Sequence, residues 1–141
     1  RTIRAVQSVV LPADALQVTI VGHQWWWEIR YPALGIVTAN EVHVPVSDQA
    51  QRQPTLLKLA SVDVAHSFWV PRLAGKTDVI PNRDNHMWIE PFEAGLYLGQ
   101  CAEYCGTQHA NMLLRVIVHT RSDFDHWVAA QAVTCFRLRP V

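Results

Sequence analysis

The residues with the greatest chemical potential lie in one short segment near the carboxyl end of the chain. Two cysteines, one histidine and one methionine occur there at spacings of four, four and three residues: Cys101, Cys105, His109 and Met112. In an extended strand, four residues span about 13 Å, which is too far for two thiols to share a metal ion. In a loop or a helical turn the same spacing brings side chains within about 6 Å. Gly106 lets the chain fold back directly after Cys105.

Thiolate, imidazole and thioether groups form a soft ligand set that favours copper. A mononuclear blue-copper site uses one Cys, two His and a weak Met, so this segment holds one thiolate more than that scheme needs. Two thiolates that bridge two metal ions would use both cysteines and would require a second histidine from elsewhere. His66 is the best candidate, because it lies in a strand-like run that ends at Pro71. At this point one four-ligand copper and a bridged copper pair both remain open.

The composition restricts the class of protein. The chain has 141 residues, of which 50% are hydrophobic and 17% charged, so it is long and apolar enough for one folded domain. The formal net charge is zero, which argues against a nucleic-acid binder. Residues 5–136 hold eight basic and all twelve acidic side chains, a charge of −4 that suits a cationic partner. There is neither a run of 18 apolar residues nor a signal peptide, so we expect a soluble piece of a longer protein.

Short runs rich in β-branched and aromatic residues, separated by turn residues, predict strands along most of the chain. These runs are Leu16–Gly22, Trp25–Tyr31, Ile36–Thr38, Glu41–Val46, Thr55–Val62, Val64–Val70, His86–Glu90, Leu96–Gln100 and Leu113–His119. Asn40 is a predicted turn residue, and Pro45 confines its strand to a sheet edge or a strand end. Residues 72–85 and 101–112 are predicted loops. The pattern favours an all-β sandwich or small barrel.

The end of the chain changes to a helical period. Residues 122–133 are predicted to form a short C-terminal helix, with Ser122 as its cap and Phe124, Trp127 and Val128 on one face. We therefore divide the chain into a lead-in segment, residues 1–15, a domain, residues 16–133, and an unassigned tail, residues 134–141. Cys135 is expected to be a free thiol in that tail.

Further motifs surround the candidate ligands. They are Gly22-His-Gln-Trp-Trp-Trp27, Asp63-Val-Ala-His66-Ser-Phe-Trp-Val-Pro71, Lys76-Thr-Asp78, Gly95-Leu-Tyr-Leu-Gly-Gln100 and Cys101-Ala-Glu-Tyr-Cys105-Gly-Thr-Gln-His109-Ala-Asn-Met112. Together they resemble the dinuclear copper (CuA) domain of cytochrome c oxidase subunit II, over about residues 16–130. The resemblance implies a cupredoxin-like Greek-key β-barrel, which agrees with the predicted strands. It also implies that Cys101 and Cys105 bridge two coppers.

The resemblance assigns the other ligands and partners as well. His66 and Met112 would complete one copper, and His109 with the backbone carbonyl of Glu103 the other. The Glu103 side chain would help to hold a magnesium ion at a neighbouring subunit. The family places an exposed aromatic ring for electron entry at Trp25. Such a domain takes single electrons from cytochrome c and passes them to a haem in subunit I, as part of a proton-translocating oxidoreductase; by itself it is an electron carrier.

The resemblance also implies a location on the periplasmic face of a bacterial inner membrane or on the intermembrane side in mitochondria. Membrane association would come only through helices missing from this sequence or through the complex. Asp63 flanks a ligand segment and is a candidate docking residue for a cationic cytochrome c. Two departures stand out: Pro81-Asn82-Arg83 replaces the usual Pro-Gly-Arg, and no Cys-x-x-Cys-His haem motif follows the helix. Asn82 is expected to tolerate the left-handed turn position.

Three alternative functions share parts of this pattern. The copper domain of a nitrous-oxide reductase has the same centre, but the Gly22–Trp27 and Asp63–Pro71 motifs favour the oxidase. A copper-binding or delivery cupredoxin needs exposed, labile ligands, whereas these ligands are spread over two segments of a predicted barrel. A quinol-oxidase subunit II has the fold without the copper ligands. His23, His43, His86, His119 and His126 are expected to be structural or surface residues.

Overall fold

The computed structural model describes residues 15–50 and 52–137, without the side chains of residues 132–137. The predicted lead-in thus lies almost entirely outside the described residues, as do the end of the tail and the side chain of Cys135. The strands are β1 (Gln17–His23), β2 (Trp26–Tyr31), β3 (Ile36–Ala39), β4 (Glu41–Pro45), β5 (Thr55–Ser61), β6 (His66–Trp69), β7 (Thr77–Val79), β8 (Asn85–Ile89), β9 (Gly95–Cys101) and β10 (Leu113–His119). A 3-10 helix covers His109–Asn111, and helix α1 covers Arg121–Arg137.

The strands form two five-stranded sheets. Their orders are β3-β2-β1-β5-β8 and β4-β10-β9-β6-β7. The pairs β1–β5 and β4–β10 are parallel and all other pairs are antiparallel. The all-β prediction is confirmed. Pro45 ends β4, which lies at the edge of its sheet, as its missing N–H group requires.

Alternate residues of the strands build one core between the sheets. In β1 the side chains of Val18 and Ile20 are buried, as the period of two predicts. Trp27 of the first sheet is fully buried and meets Phe68 of the second edge to face, with ring centroids 5.7 Å apart. Burying each large apolar side chain of this kind contributes about 1.5–3 kcal/mol. The core is therefore a source of stability that does not depend on a metal.

Three details differ from the sequence prediction. Thr77–Val79 is a short strand paired with β6, where a loop was expected; Gly75, Pro81 and Asn82 around it are turn residues and indicated a loop. The helix is capped by Thr120, not Ser122, because the Thr120 hydroxyl accepts a hydrogen bond from the Asp123 N–H at 3.2 Å. The helix also extends to Arg137, four residues beyond its predicted end.

Both predicted turn asparagines have positive φ angles. Asn40, between β3 and β4, has φ of 59°, and its side-chain oxygen accepts a hydrogen bond from the Trp27 N–H at 2.8 Å. Asn82 has φ of 60°. It thus fills the left-handed position that was expected to tolerate asparagine in place of glycine.

One end of the barrel collects the segments that carry the candidate ligands. Because β1 and β5 are parallel neighbours, their carboxyl ends lie at the same end of the barrel. The turn after β1 and the connection from β5 to β6 both start there. Cys101, the last residue of β9, pairs with Phe68 of the antiparallel strand β6, so the chain after Cys101 emerges at the end of the sheet where β6 begins. Three connections that are distant in sequence therefore meet there.

Candidate metal centre

The two thiols lie together at this end of the barrel. The Sγ atoms of Cys101 and Cys105 are 3.8 Å apart. Both residues are buried, at 4% and 3% exposure. Cys101 ends a strand, and Cys105 follows in the loop that folds back over it, so the spacing of four residues acts as a loop spacing and not as a strand spacing. The arrangement gives two sulfurs shielded from water and close enough to share metal ions.

An imidazole lies beside each thiol. His66 Nδ1 is 3.9 Å from the sulfur of Cys101, and His109 Nδ1 is 3.6 Å from the sulfur of Cys105. His66 belongs to strand β6 and is fully buried, whereas His109 begins the 3-10 helix and is half-buried. Ligand atoms of His66, Cys101 and Cys105 all lie within 4.8 Å of one another.

A thioether and a carbonyl complete the group of donors. Met112 Sδ is 3.7 Å from the sulfur of Cys105, and Met112 is fully buried. The carbonyl oxygen of Glu103 lies 3.2 Å from the sulfur of Cys101. The Glu103 side chain is exposed, and its carboxylate accepts a hydrogen bond from the Tyr104 N–H at 3.1 Å. All six predicted ligand residues therefore lie at one site.

The donor set fits copper. Two thiols, two imidazoles and a thioether are soft or borderline ligands, and the described group lacks the carboxylate-rich set that magnesium or calcium prefers. The site is also sterically adapted to His66: a Cβ atom added at Gly22 would lie 2.7 Å from Cδ2 of that ring. Only glycine at this position leaves room for the imidazole where it lies.

The surroundings shift the pKa values of the two thiols in opposite directions. Burial raises the pKa of Cys101, but hydrogen bonds from His66 and from the Ser67 backbone N–H outweigh it and lower that pKa overall. Burial and the neighbouring Cys101 both raise the pKa of Cys105. For His66, burial lowers the pKa, yet its contacts with Cys101 and Asp63 raise it overall. Cys101 is therefore the more acidic of the two thiols.

Asp63 holds His66 from the side away from the thiols. Its Oδ1 lies 2.8 Å from His66 Nε2, which leaves Nδ1 directed at the sulfur of Cys101. A carboxylate in this place fixes the orientation of a histidine ligand. Its Oδ2 accepts a hydrogen bond from the Gln24 N–H at 2.6 Å. The side chain is 28% exposed, so the predicted docking role stays a prediction beside this structural contact.

The three consecutive tryptophans occupy different environments. Trp25 lies in the turn before β2 and is half-buried, and its Nε1–H donates to the Cys105 carbonyl at 3.1 Å. Trp26 is 37% exposed and stacks on His23 at 4.3 Å, whereas Trp27 is fully buried. Trp26 and Trp27 thus face opposite sides of the sheet, as neighbouring residues of a strand do. The contact of Trp25 with a ligand residue required the structure.

Sequence reasoning missed two residues at the rim of the site. Gln24 contacts Cys105 through its side chain; its place inside the Gly22–Trp27 motif was the available signal. Tyr104 is 74% exposed, and its ring lies 5.8 Å from that of His109. An aromatic residue directly before a cysteine ligand was the signal in that case.

Comparisons with known proteins agree with this geometry. Residues 40–120 match the family model described as cytochrome c oxidase subunit II, periplasmic domain. Cytochrome c oxidase subunit 2 of Alkalihalophilus pseudofirmus is 39% identical over 82% of this chain and 32% of the relative. Alternative cytochrome c oxidase subunit 2 of Bradyrhizobium diazoefficiens is 32% identical over 89% of this chain and 54% of the relative. The chain thus spans about a third to a half of these relatives.

Solved structures give the same result. The crystal structure of the periplasmic domain of subunit II of cytochrome oxidase (CoxB) of Bradyrhizobium japonicum superposes with a TM-score of 0.79 at 29% identity, covering 89% of this chain and 99% of that one. This likeness confirms the cupredoxin-like fold. A second structure, a mixed disulfide between a thioredoxin-like protein and subunit II of cytochrome c oxidase, gives a TM-score of 0.73 at 29% identity, with 86% and 95% coverage. Among the described residues, no helix is long and apolar enough to cross a membrane. The chain belongs to the cytochrome c oxidase subunit II family and corresponds to its periplasmic domain.

Proposed function

We propose that this chain is the electron-transfer domain of a respiratory haem-copper oxidase. It would accept single electrons from a c-type cytochrome and pass them to a haem in subunit I. The observation that carries the proposal is a pair of buried thiols 3.8 Å apart with an imidazole beside each. When bound there, a dinuclear copper centre supplies one-electron redox chemistry with the charge spread over two metals and two sulfurs.

The donor positions favour two coppers over one. A one-copper site with a single thiolate would leave a second thiol buried against it without a role. In the proposed site Cys101 and Cys105 bridge, His66 and Met112 serve one metal position, and His109 with the Glu103 carbonyl serves the other. The ligands are held in a packed barrel end, which favours a fixed centre over a delivery protein. Membership of the oxidase family likewise favours the oxidase over a nitrous-oxide reductase.

Electron entry is assigned to Trp25. The ring lies at the rim of the site, and its Nε1–H contacts the carbonyl of the ligand residue Cys105. Asp63, which accepts a hydrogen bond from the N–H of the preceding residue Gln24, supplies negative charge. Residues 5–136 together carry −4, and this charge would steer a cationic cytochrome c. The Glu103 carboxylate is exposed, which leaves it accessible to help hold a magnesium ion at a neighbouring subunit. The match to a family described as a periplasmic domain supports an extracytoplasmic location for this chain.

Stopped-flow reduction of the copper-loaded domain by a c-type cytochrome tests this function. We expect rapid one-electron transfer whose second-order rate constant falls as ionic strength rises, because salt screens the attraction between the partners. Copper-loaded protein that is reduced by small reductants but not by any c-type cytochrome tested would contradict the proposed donor.

The thiol pair also supports a second partner, a thioredoxin-like protein that would act on the domain before copper binds. The structural neighbour described above forms a mixed disulfide with a thioredoxin-like protein. The two sulfurs of this chain lie 3.8 Å apart, so exchange with an external disulfide would oxidise them to a disulfide and release that oxidant as two thiols. A thioredoxin-like dithiol would then reduce that disulfide to two thiols and become a disulfide itself. Because Cys101 and Cys105 are buried, the attack requires the loop of residues 102–112 to open. Reduction of the oxidised, metal-free domain by such a protein, followed by thiol titration, checks this.

A further inference from the structure

The turn between β1 and β2 contacts the Cys105 segment through two side chains. The Gln24 Nε2–H donates to the Cys105 carbonyl oxygen at 2.8 Å, and the Trp25 Nε1–H donates to the same oxygen at 3.1 Å. These residues lie about eighty positions before Cys105 in the sequence. Two donors on one carbonyl fix the direction of the peptide group that follows Cys105.

The same turn contacts the His66 segment through its backbone. The Gln24 N–H donates to Oδ2 of Asp63 at 2.6 Å, and Oδ1 of that carboxylate lies 2.8 Å from His66 Nε2. Gln24 therefore reaches one ligand segment with its side chain and the other with its backbone.

The segment after Cys105 packs closely against the turn between β1 and β2 at Gly106. Gly106 has φ of +122°, and a Cβ atom added there would lie 3.0 Å from Cζ2 of Trp25 and 3.1 Å from Nε2 of Gln24. The chain after Cys105 thus lies directly against the turn, and only glycine fits. Since the Cys105 backbone is held, its sulfur is held as well, at 3.6–3.8 Å from its three neighbouring donor atoms.

We propose that Gln24 is a positioning residue that holds the His66 and Cys105 ligand segments in fixed relation, before and after copper binds. The inference rests on the proposed copper-binding function and adds a residue to it that touches no metal. A site that changes little between its oxidation states needs ligands that are held from outside. Gln24 provides this without contributing an aromatic ring to electron entry, so its effect separates from that of Trp25.

Replacing Gln24 with methionine tests the proposal, because Gln24→Met keeps the length of the side chain and removes its donor. We expect a chelator to remove copper about tenfold faster than from the wild type, since loss of an outer contact to a ligand weakens metal sites by at least that order. The visible absorption and EPR spectra of the bound copper should shift. Gln100→Met is the matched control: Gln100 is exposed on β9 directly before Cys101, and this variant should behave as the wild type.

A second readout uses the metal-free domain. We expect the Cys105 thiol of Gln24→Met to react faster with a thiol reagent than in the wild type or in Gln100→Met, because its backbone has lost a restraint. Wild-type copper loss, spectra and thiol reactivity in Gln24→Met would overturn the inference. If the wild type binds no copper pair, the proposed function fails, and the thiol readout still decides the role of Gln24. Should Gln24→Met not fold, Gln24→Glu, which keeps the shape of the side chain and replaces its amide donor by a carboxylate that cannot donate to the Cys105 carbonyl, decides by the same readouts.

Discussion

Histidines are buried at both ends of the barrel, in opposite electrostatic settings. At the ligand end, His66 is buried between Asp63 and a thiol, and these neighbours raise its pKa although burial lowers it. Near the helix, His43 is buried against Trp127, with ring centroids 4.2 Å apart, and its Nδ1 lies 2.8 Å from Nε2 of His119. There, burial and the second imidazole lower the pKa of His43 to about 4. Anionic neighbours keep a buried histidine available for charge, and aromatic neighbours keep it neutral.

The two ends of the barrel therefore have different roles. The ligand end is built from hydrogen bonds between connections that are distant in sequence, and it serves the site. The helix end is built from stacked rings that fasten α1 to β4 and β10, and it serves stability. If this division is correct, changes at one end leave the properties of the other unaltered.

The largest expected effect is the loss of a bridging thiol. Cys105→Ser should abolish the dinuclear copper spectrum, because one remaining thiolate cannot bridge two metals in the proposed way. The barrel should still fold, since its core is apolar and independent of the metal. Visible absorption after copper addition and far-UV circular dichroism check the two statements. A Cys105→Ser protein that binds two coppers with the wild-type spectrum would refute the bridging role.

The helix end predicts a dependence of stability on pH. In the unfolded chain His43 has an ordinary pKa of about 6.5, and in the folded domain its pKa is about 4. The unfolded state therefore binds more protons between these values, so stability is complete above about pH 6.5 and is lost as the pH falls toward 4. The difference between the two pKa values corresponds to a loss of at most about 3 kcal/mol. The folded-state pKa of about 4 already includes the opposing effect of Glu41, whose Oε2 lies 3.9 Å from His43 Nε2.

Denaturant unfolding of the metal-free domain across this range measures the effect. His43→Leu should flatten the decline in the free energy of unfolding, whatever its stability at neutral pH. His126→Gln, at an exposed position of the same helix, is the control and should keep the wild-type slope. An unchanged slope in His43→Leu would show that other groups control the acid sensitivity.

Electron entry at the ligand end predicts a kinetic effect of intermediate size. Trp25→Ala should slow electron transfer from cytochrome c about tenfold or more, equivalent to about 1.4 kcal/mol in activation free energy. Trp25→Phe keeps an aromatic ring and should retain most of the rate, although it loses the hydrogen bond to Cys105. Stopped-flow measurements on copper-loaded variants compare the two. A wild-type rate in Trp25→Ala would move the entry point, with Trp26 the next ring to test.

The smallest expected effect is the loss of charge at Asp63. Asp63→Asn should lower the association rate with a cationic cytochrome by about two- to threefold at low ionic strength and hardly at all at high salt. Because Asp63 also contacts His66 and Gln24, the copper spectrum of the variant must be recorded beside the salt series. A rate loss that persists at high salt would assign Asp63 to ligand positioning and not to docking.

Much of the fold and the ligand set was accessible from the sequence. Period-two runs located nine strands, and the spacing of Cys101, Cys105, His109 and Met112, with the upstream His66 motif, identified residues that the structure brings together. The strand Thr77–Val79 was missed because the turn residues Gly75, Pro81 and Asn82 around it favour a loop, and only its pairing with β6 makes it a strand. The dual contact of Gln24 was missed because it joins residues far apart in sequence, and such pairing depends on the parallel placement of β1 and β5. The stack of His43, His119 and Trp127 was equally hidden, since it depends on where the helix docks.

Copper stoichiometry combined with EPR spectroscopy of the reconstituted wild-type domain tests the central claim most directly. The account predicts two coppers per chain, a purple colour, and one unpaired electron whose hyperfine splitting arises from both copper nuclei. A blue protein with one copper per chain, and splitting from a single nucleus, would contradict the bridged site and with it the proposed entry of electrons through a dinuclear centre.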